Sequence, residues 1–185
     1  CGEGGMVTTN SEEKYLKLLE LRSHGINKKN MIQNHGGWYY EMHTLGYNYR
    51  LTDLQSALGI TQLKKNPNGV LRRNQIANIY KDAFLGKISF QSIQDFQFNA
   101  YHLFIVELDR RKELYDFLKT KSIFAQIHYI PVHLLPYYKD IGYDEAKLEN
   151  AEIYYNKCIS LPMYPSLTND EQNFIIEKTL EFINE

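Results

Sequence analysis

The chain reads as a mixed α/β polypeptide in two parts, a largely helical stretch over residues 1–66 and a small α+β domain over residues 67–185. Three features carry that reading. A capped amphipathic helix begins after Thr52. The run Asn66-Pro67-Asn68-Gly69 then breaks the chain. Beyond it, helix-period and strand-period segments follow one another, the pattern of helices laid over a modest, partly antiparallel sheet.

Taken in order, Cys1-Gly2-Glu3-Gly4-Gly5 is a tight turn leading into Met6-Val7-Thr8-Thr9, a short β-type run. A strand this short needs neighbours on both sides, and the other strands lie far away in sequence. The chain is therefore expected to be cut from something larger on its amino-terminal side. Asn10 is placed to cap a helix, with Glu13 at its third position. Tyr15, Leu18, Leu19 and Arg22 share one face of it, and Gly25 is placed to end it in the left-handed conformation. From Ile26 to Tyr47 periodicity is lost. That loop is rich in Asn, His, Gly and Tyr, and Trp38-Tyr39-Tyr40 argues that it packs on something. At Thr52 the hydroxyl can accept from an early helix amide while Gln55 reaches back, a capping box. Leu54, Ala57, Leu58 and Thr61 then fall on one face.

Past the break, Leu71 to Phe84 predicts a helix with an apolar stripe of Ile76, Ala77, Tyr80, Ala83 and Phe84, stopped at Gly86. Residues 88–100 are a weak strand and a loop. Tyr101 to Leu108 predicts a strand buried at its centre, and Asp109 begins a helix carrying Leu114, Phe117 and Leu118. Ile123 to Tyr129 alternates with period two, which sets Gln126 and His128 opposite the apolar face until Pro131 ends the strand. A tyrosine-rich loop leads to a helix through Ala151, Tyr155 and Cys158, then to a short edge strand, Ile159-Ser160-Leu161-Pro162. Thr168 and Glu171 form a second capping box, opening a last helix that buries Ile175, Thr179, Phe182 and Ile183. Residues 70–185 thus read as a small α+β sandwich.

Composition narrows the function. A net charge of −1 leaves no electrostatic footprint for nucleic acid or an anionic membrane. No apolar run approaches the roughly 20 residues that span a bilayer. Two cysteines make neither a disulfide framework nor a zinc site, and the cytoplasm is the default compartment. The six histidines are dispersed and lack zinc-site spacing, so no metal is expected. Gly2-Glu3-Gly4-Gly5 precedes a strand and lacks the P-loop lysine, which leaves it a turn rather than a nucleotide cradle. No nucleophile elbow is present. Two features are less ordinary. Fifteen tyrosines give many surfaces with an apolar body and a polar tip, suited either to half-buried packing or to a polar, ring-shaped ligand. Asn48 and Arg50 sit among Tyr47, Tyr49 and Leu51 at a helix entrance, where anions are favoured. His128 and Tyr129 stand at a strand end, where side chains reach into a crevice.

Several stretches together resemble one family. They are Gly2-Glu3-Gly4-Gly5, Leu21-Arg22-Ser23-His24-Gly25-Ile26, Leu45-Gly46-Tyr47-Asn48-Tyr49-Arg50-Leu51, and Gln55-Ser56-Ala57-Leu58-Gly59 with Gln62-Leu63. Gln126-Ile127-His128-Tyr129-Ile130-Pro131-Val132-His133 and Ile159-Ser160-Leu161-Pro162-Met163-Tyr164-Pro165 complete the set. Their order and spacing resemble the carboxy-terminal half of the DegT/DnrJ/EryC1/StrS nucleotide-sugar aminotransferases. The Arg-Ser-His-Gly-Ile and His-Tyr-Ile-Pro-Val-His runs look most like the pseudaminic-acid branch, the UDP-4-amino-4,6-dideoxy-N-acetyl-β-L-altrosamine transaminases.

The resemblance implies a fold type I pyridoxal-phosphate aminotransferase, with residues 1–66 the end of the large cofactor-binding domain and 67–185 the small domain. It implies pyridoxal 5'-phosphate as cofactor of the complete enzyme, L-glutamate as amino donor, a UDP-linked 4-keto-6-deoxy sugar as acceptor, a homodimer, and a place in surface-glycan biosynthesis. The Schiff-base lysine would lie just upstream of Cys1, so this chain alone is expected to be inactive. Asn48 matches the asparagine that reaches across the dimer to the partner's cofactor phosphate or substrate, with Tyr47, Tyr49 and Arg50 lining that wall. Ile127, His128, Tyr129 and Ile130 match the segment lining the sugar-nucleotide pocket, continued by Pro136 and Tyr137. His24 is placed near the site. Two alternatives stay open: a sugar dehydratase of the same fold, with histidine in place of the lysine, and a non-catalytic fragment that dimerises or binds nucleotide sugar.

Overall fold

The computed structural model describes residues 1–33, 35–94, 96–143 and 145–185, and its contacts group Cys1–Lys65 and Asn66–Glu185 into separate units. In the first unit, helix α1 (Glu12–Arg22) opens one residue later than expected. The Ser11 amide donates to Thr9 Oγ1 at 3.1 Å, and Ser11, not Asn10, becomes the cap, accepting from the Lys14 amide at 3.3 Å. The helix ends at Arg22 with Ser23 as its cap; His24 and then Gly25 take the left-handed conformation (φ 63° and 67°), and Gly25 donates to the Glu20 carbonyl at 2.9 Å. Met6–Thr9 forms no strand. It has no ladder partner among the described residues, and Met6 and Val7 are exposed.

The loop that follows is held by backbone bonds. Isolated antiparallel bridges join Ile26 to Met42 and Ser23 to Asn48. The His24 amide donates to Tyr47 O, and the His43 amide to Gly25 O, each at 2.9 Å. A side chain at Gly46 would collide with the Gly25 backbone, and one at Gly25 with the Thr44 carbonyl, so both glycines are there to let two backbones touch. The expectation that Trp38-Tyr39-Tyr40 packs down is corrected in part. Trp38 is 79% exposed and Tyr40 is exposed, while the Tyr39 hydroxyl donates to Glu41. Gly25 is the one described residue of this unit that is buried.

Helix α2 runs from Asp53 to Phe84. Its start is the expected box: Thr52 Oγ1 accepts from the Gln55 amide at 3.3 Å, and Gln55 Oε1 from the Thr52 amide at 3.1 Å. The predicted break at Asn66-Pro67-Asn68-Gly69 is absent, and Pro67 lies inside the helix. An interior proline costs about 3 kcal/mol, and the helix packs into the core only well beyond it. Ile76, Ala77, Tyr80 and Phe84 are fully buried, and Arg73 donates to the Tyr101, His102 and Met163 carbonyls.

The second unit carries a three-stranded antiparallel sheet in the order β1-β2-β3, made of β1 (Ser89–Phe90), β2 (Phe104–Glu107) and β3 (Cys158–Leu161). Phe104 pairs with Leu161 and Val106 with Ile159. Helices α3 (Arg111–Thr120) and α6 (Asn169–Asn184) pack together and bury Leu114, Leu118, Ile175 and Phe182 against the same core as α2. The second capping box is present, with Glu171 taking the Thr168 amide at 2.9 Å and Thr168 Oγ1 taking the Glu171 amide at 3.2 Å.

Between α3 and β3 the predicted strand over Ile123–Tyr129 shrinks to one bridge, Gln126 to Ser160. The alternation survives as burial, with Ile123 and Ala125 inside and Phe124 and Gln126 outside. The ladder stops because its next pair would be His128 with Cys158, and the Cys158 amide already donates to the Tyr154 carbonyl. Beyond lie the one-turn helix α4 (Pro136–Tyr138) and helix α5 (Glu149–Lys157). Cys158, expected in that helix, instead opens β3 and is buried, which pushes its thiol pKa up.

Candidate functional site

The predicted site residues fall into two groups, one in each unit. In the first, the Ser23–Asn48 bridge sets the backbone, with the Tyr47 and Tyr49 amides donating to Leu21 O and Arg22 O at 2.8 and 2.9 Å. Alternation along this extended run puts Tyr47 and Tyr49 on one face, their rings stacked at 5.0 Å, and Asn48 and Arg50 on the other. Arg50 Nε donates to Asn48 Oδ1 at 3.2 Å, and Arg50 Nη2 lies 3.4 Å from His24 Nε2. Since guanidinium can only donate, His24 Nε2 is the acceptor in this contact. The chain of contacts fixes the orientation of the Asn48 amide: its oxygen is engaged, and its two N–H donors make no hydrogen bond among the described residues. Arg50 forms no ion pair with a carboxylate among the described residues. An amide donor beside an uncompensated guanidinium is a fitting donor set for phosphate oxygens. No lysine hydrogen-bonds to this group among the described residues.

Glu41 organises the neighbouring loop and was not singled out from the sequence. Its carboxylate accepts from the Ile32 and Gln33 amides and the Tyr39 hydroxyl, all at 2.8 Å, and lies 3.2 Å from His43 Nε2. The Ile32 and Gln33 amides, with smaller help from Tyr39 and His43, hold its pKa below the ordinary carboxylate value, and the same bond raises that of Tyr39. One signal was available: Glu41 is the lone acid between Glu20 and Asp53.

In the second unit, His128 Nδ1 sits 2.8 Å from the hydroxyl of buried Ser160. The bridge donates Ser160 N to Gln126 O at 2.7 Å, so the imidazole is tied to the sheet through β3. Nε2 makes no hydrogen bond among the described residues. A groove of about 200 Å³ opens here, lined by His102, Phe124, Gln126, His128, Ser160 and Met163 among others. The other predicted residues do not line it. Ile127 is half-buried, while Tyr129, Ile130 and Tyr137 are exposed on the surface beyond. The His128 and Tyr129 rings meet edge-to-face at 4.7 Å, and Tyr137 meets Tyr138 likewise at 5.4 Å. His133, which the sequence pairs with His128 only by proximity, is buried and bonded to Glu152. Among the described residues, no group of three or more His, Cys, Asp and Glu side chains could hold a metal ion, and no helix is long and apolar enough to cross a membrane.

The sequence profile of the DegT/DnrJ/EryC1/StrS aminotransferase family matches residues 1–180. The spore coat polysaccharide biosynthesis protein SpsC of Bacillus subtilis is 38% identical, over 98% of this chain and 50% of its own length. The UDP-4-amino-4,6-dideoxy-N-acetyl-beta-L-altrosamine transaminase of Campylobacter jejuni is 36% identical, over 94% of this chain and 46% of its own. Among solved structures, the putative sugar aminotransferase Spr1654 from Streptococcus pneumoniae, in its PMP-form, superposes with a TM-score of 0.84 at 27% identity. It covers 95% of this chain and 44% of that one. The chain thus spans about half the length of the curated relatives it matches.

Proposed function

We propose, from the premise that this chain belongs to the DegT/DnrJ/EryC1/StrS aminotransferase family, that it is part of a pyridoxal-phosphate enzyme acting on a nucleotide sugar. The complete enzyme would move an amino group from L-glutamate to C4 of a UDP-linked 4-keto-6-deoxy sugar, of the kind acted on by the transaminase relatives. The fold is that of the fold type I sugar aminotransferases, over about half their length.

The observation that carries this reading within the chain is the held amide of Asn48. With Oδ1 taken by Arg50, its N–H donors and the guanidinium converge on one polar patch. Such a patch suits the phosphate of pyridoxal phosphate, or the diphosphate of the sugar nucleotide, offered by a second subunit of a homodimer. Bound pyridoxal phosphate supplies the electron sink for exchanging an amino group with a carbonyl. The stacked Tyr47 and Tyr49 form the wall beside the patch. In the other unit, His128 keeps Nε2 for the nucleotide sugar while Ser160 holds the ring. Tyr129, Ile130 and Tyr137 offer exposed aromatic and apolar surface to base or sugar.

These 185 residues match about half of the relatives' length, and the family resemblance puts the reactive lysine outside the matched half, so we extend the proposal to no transamination by these residues alone. The test incubates the chain with glutamate, pyridoxal phosphate and the UDP-keto sugar, and measures UDP-N-acetylhexosamine affinity alongside. The expected result is no amino sugar, together with binding that Asn48→Ala and Arg50→Ala weaken. Turnover by the chain alone overturns its inactivity. Affinity unchanged in both variants overturns the role of the Asn48 patch.

A further inference from the structure

The run from Ile127 to Leu148 carries His128, Tyr129, Ile130 and Tyr137, yet among its described residues only His133 is buried. Helix α5 behind it buries none of its side chains. The run itself is a series of local turns. The Leu134 amide donates to Pro131 O at 2.9 Å, and the Tyr138 amide to Leu135 O at 3.0 Å. Bonds of that reach fix each residue against its neighbours but not the run as a whole against the rest of its unit.

His133 supplies the missing attachment. Only 6% of its side chain is exposed, and Nε2 lies 2.9 Å from Glu152 Oε1 in the first turn of α5. The same oxygen accepts from the Leu148 amide at 3.4 Å. One carboxylate therefore ties down the middle of the run and its far end, while the Gln126–Ser160 bridge holds the near end. Neither His133 nor Glu152 lines the groove. A buried imidazole with no role in contacting ligand, bonded to a carboxylate on the next helix, has its effect through what it holds in place. The hydrogen bond from His133 and the Leu148 amide also keep the Glu152 pKa below the ordinary carboxylate value, with Lys139 adding to this. Glu152 is therefore a charged acceptor under ordinary conditions, which makes the bond one of the stronger kind.

We propose that His133 and Glu152 are positioning residues, whose hydrogen bond anchors the Ile127–Leu148 run beyond His128, which Ser160 already holds, and so sets where Tyr129 and Tyr137 meet the nucleotide sugar. The substrate half of this statement rests on the function proposed above; the anchoring half does not.

The test uses the 185-residue chain with UDP-N-acetylglucosamine as the probe, titrated calorimetrically, and backbone hydrogen exchange on the same samples. His133→Ala and Glu152→Ala should each weaken the probe by about tenfold, the scale of one charge-assisted hydrogen bond. The double variant should be no weaker than either single one. His133→Gln keeps an N–H donor for Glu152 and should recover most of the affinity. In both alanine variants exchange should quicken over residues 129–148 while β2 and β3 stay protected. Additive losses of affinity, no recovery with glutamine, or unchanged exchange over 129–148 would each overturn the anchor. If the unaltered chain does not bind the probe, the substrate reading of this wall fails, and the exchange result alone decides whether the pair is an anchor.

Discussion

Cys1–Lys65 and Asn66–Glu185 hold their conformations by different means. The second unit buries a continuous apolar core, with Ile76, Tyr80, Phe84, Val106, Leu114, Leu118 and Ile159 fully inside. The first buries one described residue, Gly25, and leaves Leu54, Leu58, Leu63, Trp38 and Met42 exposed. Its order comes instead from backbone bridges, two glycines in close approach and a carboxylate that gathers amides. Hydrophobic burial tolerates small errors of geometry, since contacts are many and non-directional. A framework of hydrogen bonds and touching backbones does not. The two candidate site groups inherit this difference: Asn48 depends on local polar geometry, His128 on a sheet with a core behind it.

The largest expected effect lies in the core. Phe84→Ala removes a ring that stacks on Tyr80 at 5.7 Å and should cost the second unit about 3–5 kcal/mol in denaturant unfolding. A loss under about 1 kcal/mol would mean the core is not what holds that unit. Next is Gly46→Ala, where the added methyl meets the Gly25 backbone. Overpacking of this kind costs about 1–3 kcal/mol, and it should appear as faster exchange at the His24 and Tyr47 amides. Unchanged protection there would show that the first unit has more slack than its contacts imply.

The same contrast explains what was legible in the sequence. The apolar stripe of α2, the strand around Phe104–Glu107, the Thr168 box and the Gly25 terminus all rest on local periodicity or local capping chemistry, and all are present. The failures occur where more than local pattern decided the outcome. Pro67 reads as a stop signal, yet the helix continues through it. Met6–Thr9 has strand composition but no ladder partner among the described residues. Ile123–Tyr129 alternates as a strand should, but the Cys158 amide that the next ladder pair needs is taken by the Tyr154 carbonyl. At the site, Asn48 and Arg50 were flagged together and His24 apart, and only the structure puts the three in one chain of contacts. Glu41 and the His133–Glu152 pair escaped because the Ile32 and Gln33 amides lie 9 and 8 residues from Glu41, and His133 lies 19 from Glu152, with no local pattern to join them.

A matched pair of caps gives a smaller, sharper test. Thr52 with Gln55 and Thr168 with Glu171 make the same capping box in the two units. Thr→Ala at either should cost about 1 kcal/mol. At Thr168 the loss should register in global unfolding of the second unit, because α6 buries Gln172, Ile175, Thr179 and Phe182. At Thr52 it should register only as faster exchange over the first turn of α2, since that turn buries nothing. Equal shifts of the unfolding midpoint in both variants would contradict the division between a core-held and a bond-held unit.

The smallest effect is the most specific to the bond-held unit. The folded pKa of Glu41 is depressed because the ionised carboxylate is what the Ile32 and Gln33 amides bind. The unfolded chain, with its ordinary carboxylate value, takes up a proton first as pH falls. Whatever Glu41 contributes is therefore fully present above that ordinary value and is lost as pH drops through the lower folded one. Exchange at the Ile32 and Gln33 amides, corrected for its intrinsic pH dependence, should thus accelerate on acidification below about pH 4 and be flat above it. Glu41→Gln can still accept hydrogen bonds but carries no charge. It should loosen those two amides at every pH and abolish the acid step, and the Tyr39 hydroxyl, now bonded to a neutral acceptor, should titrate nearer its ordinary value. An acid step that persists in the glutamine variant would assign it to another group, and the loop would then owe its order to the Gly25–Gly46 contact rather than to the carboxylate.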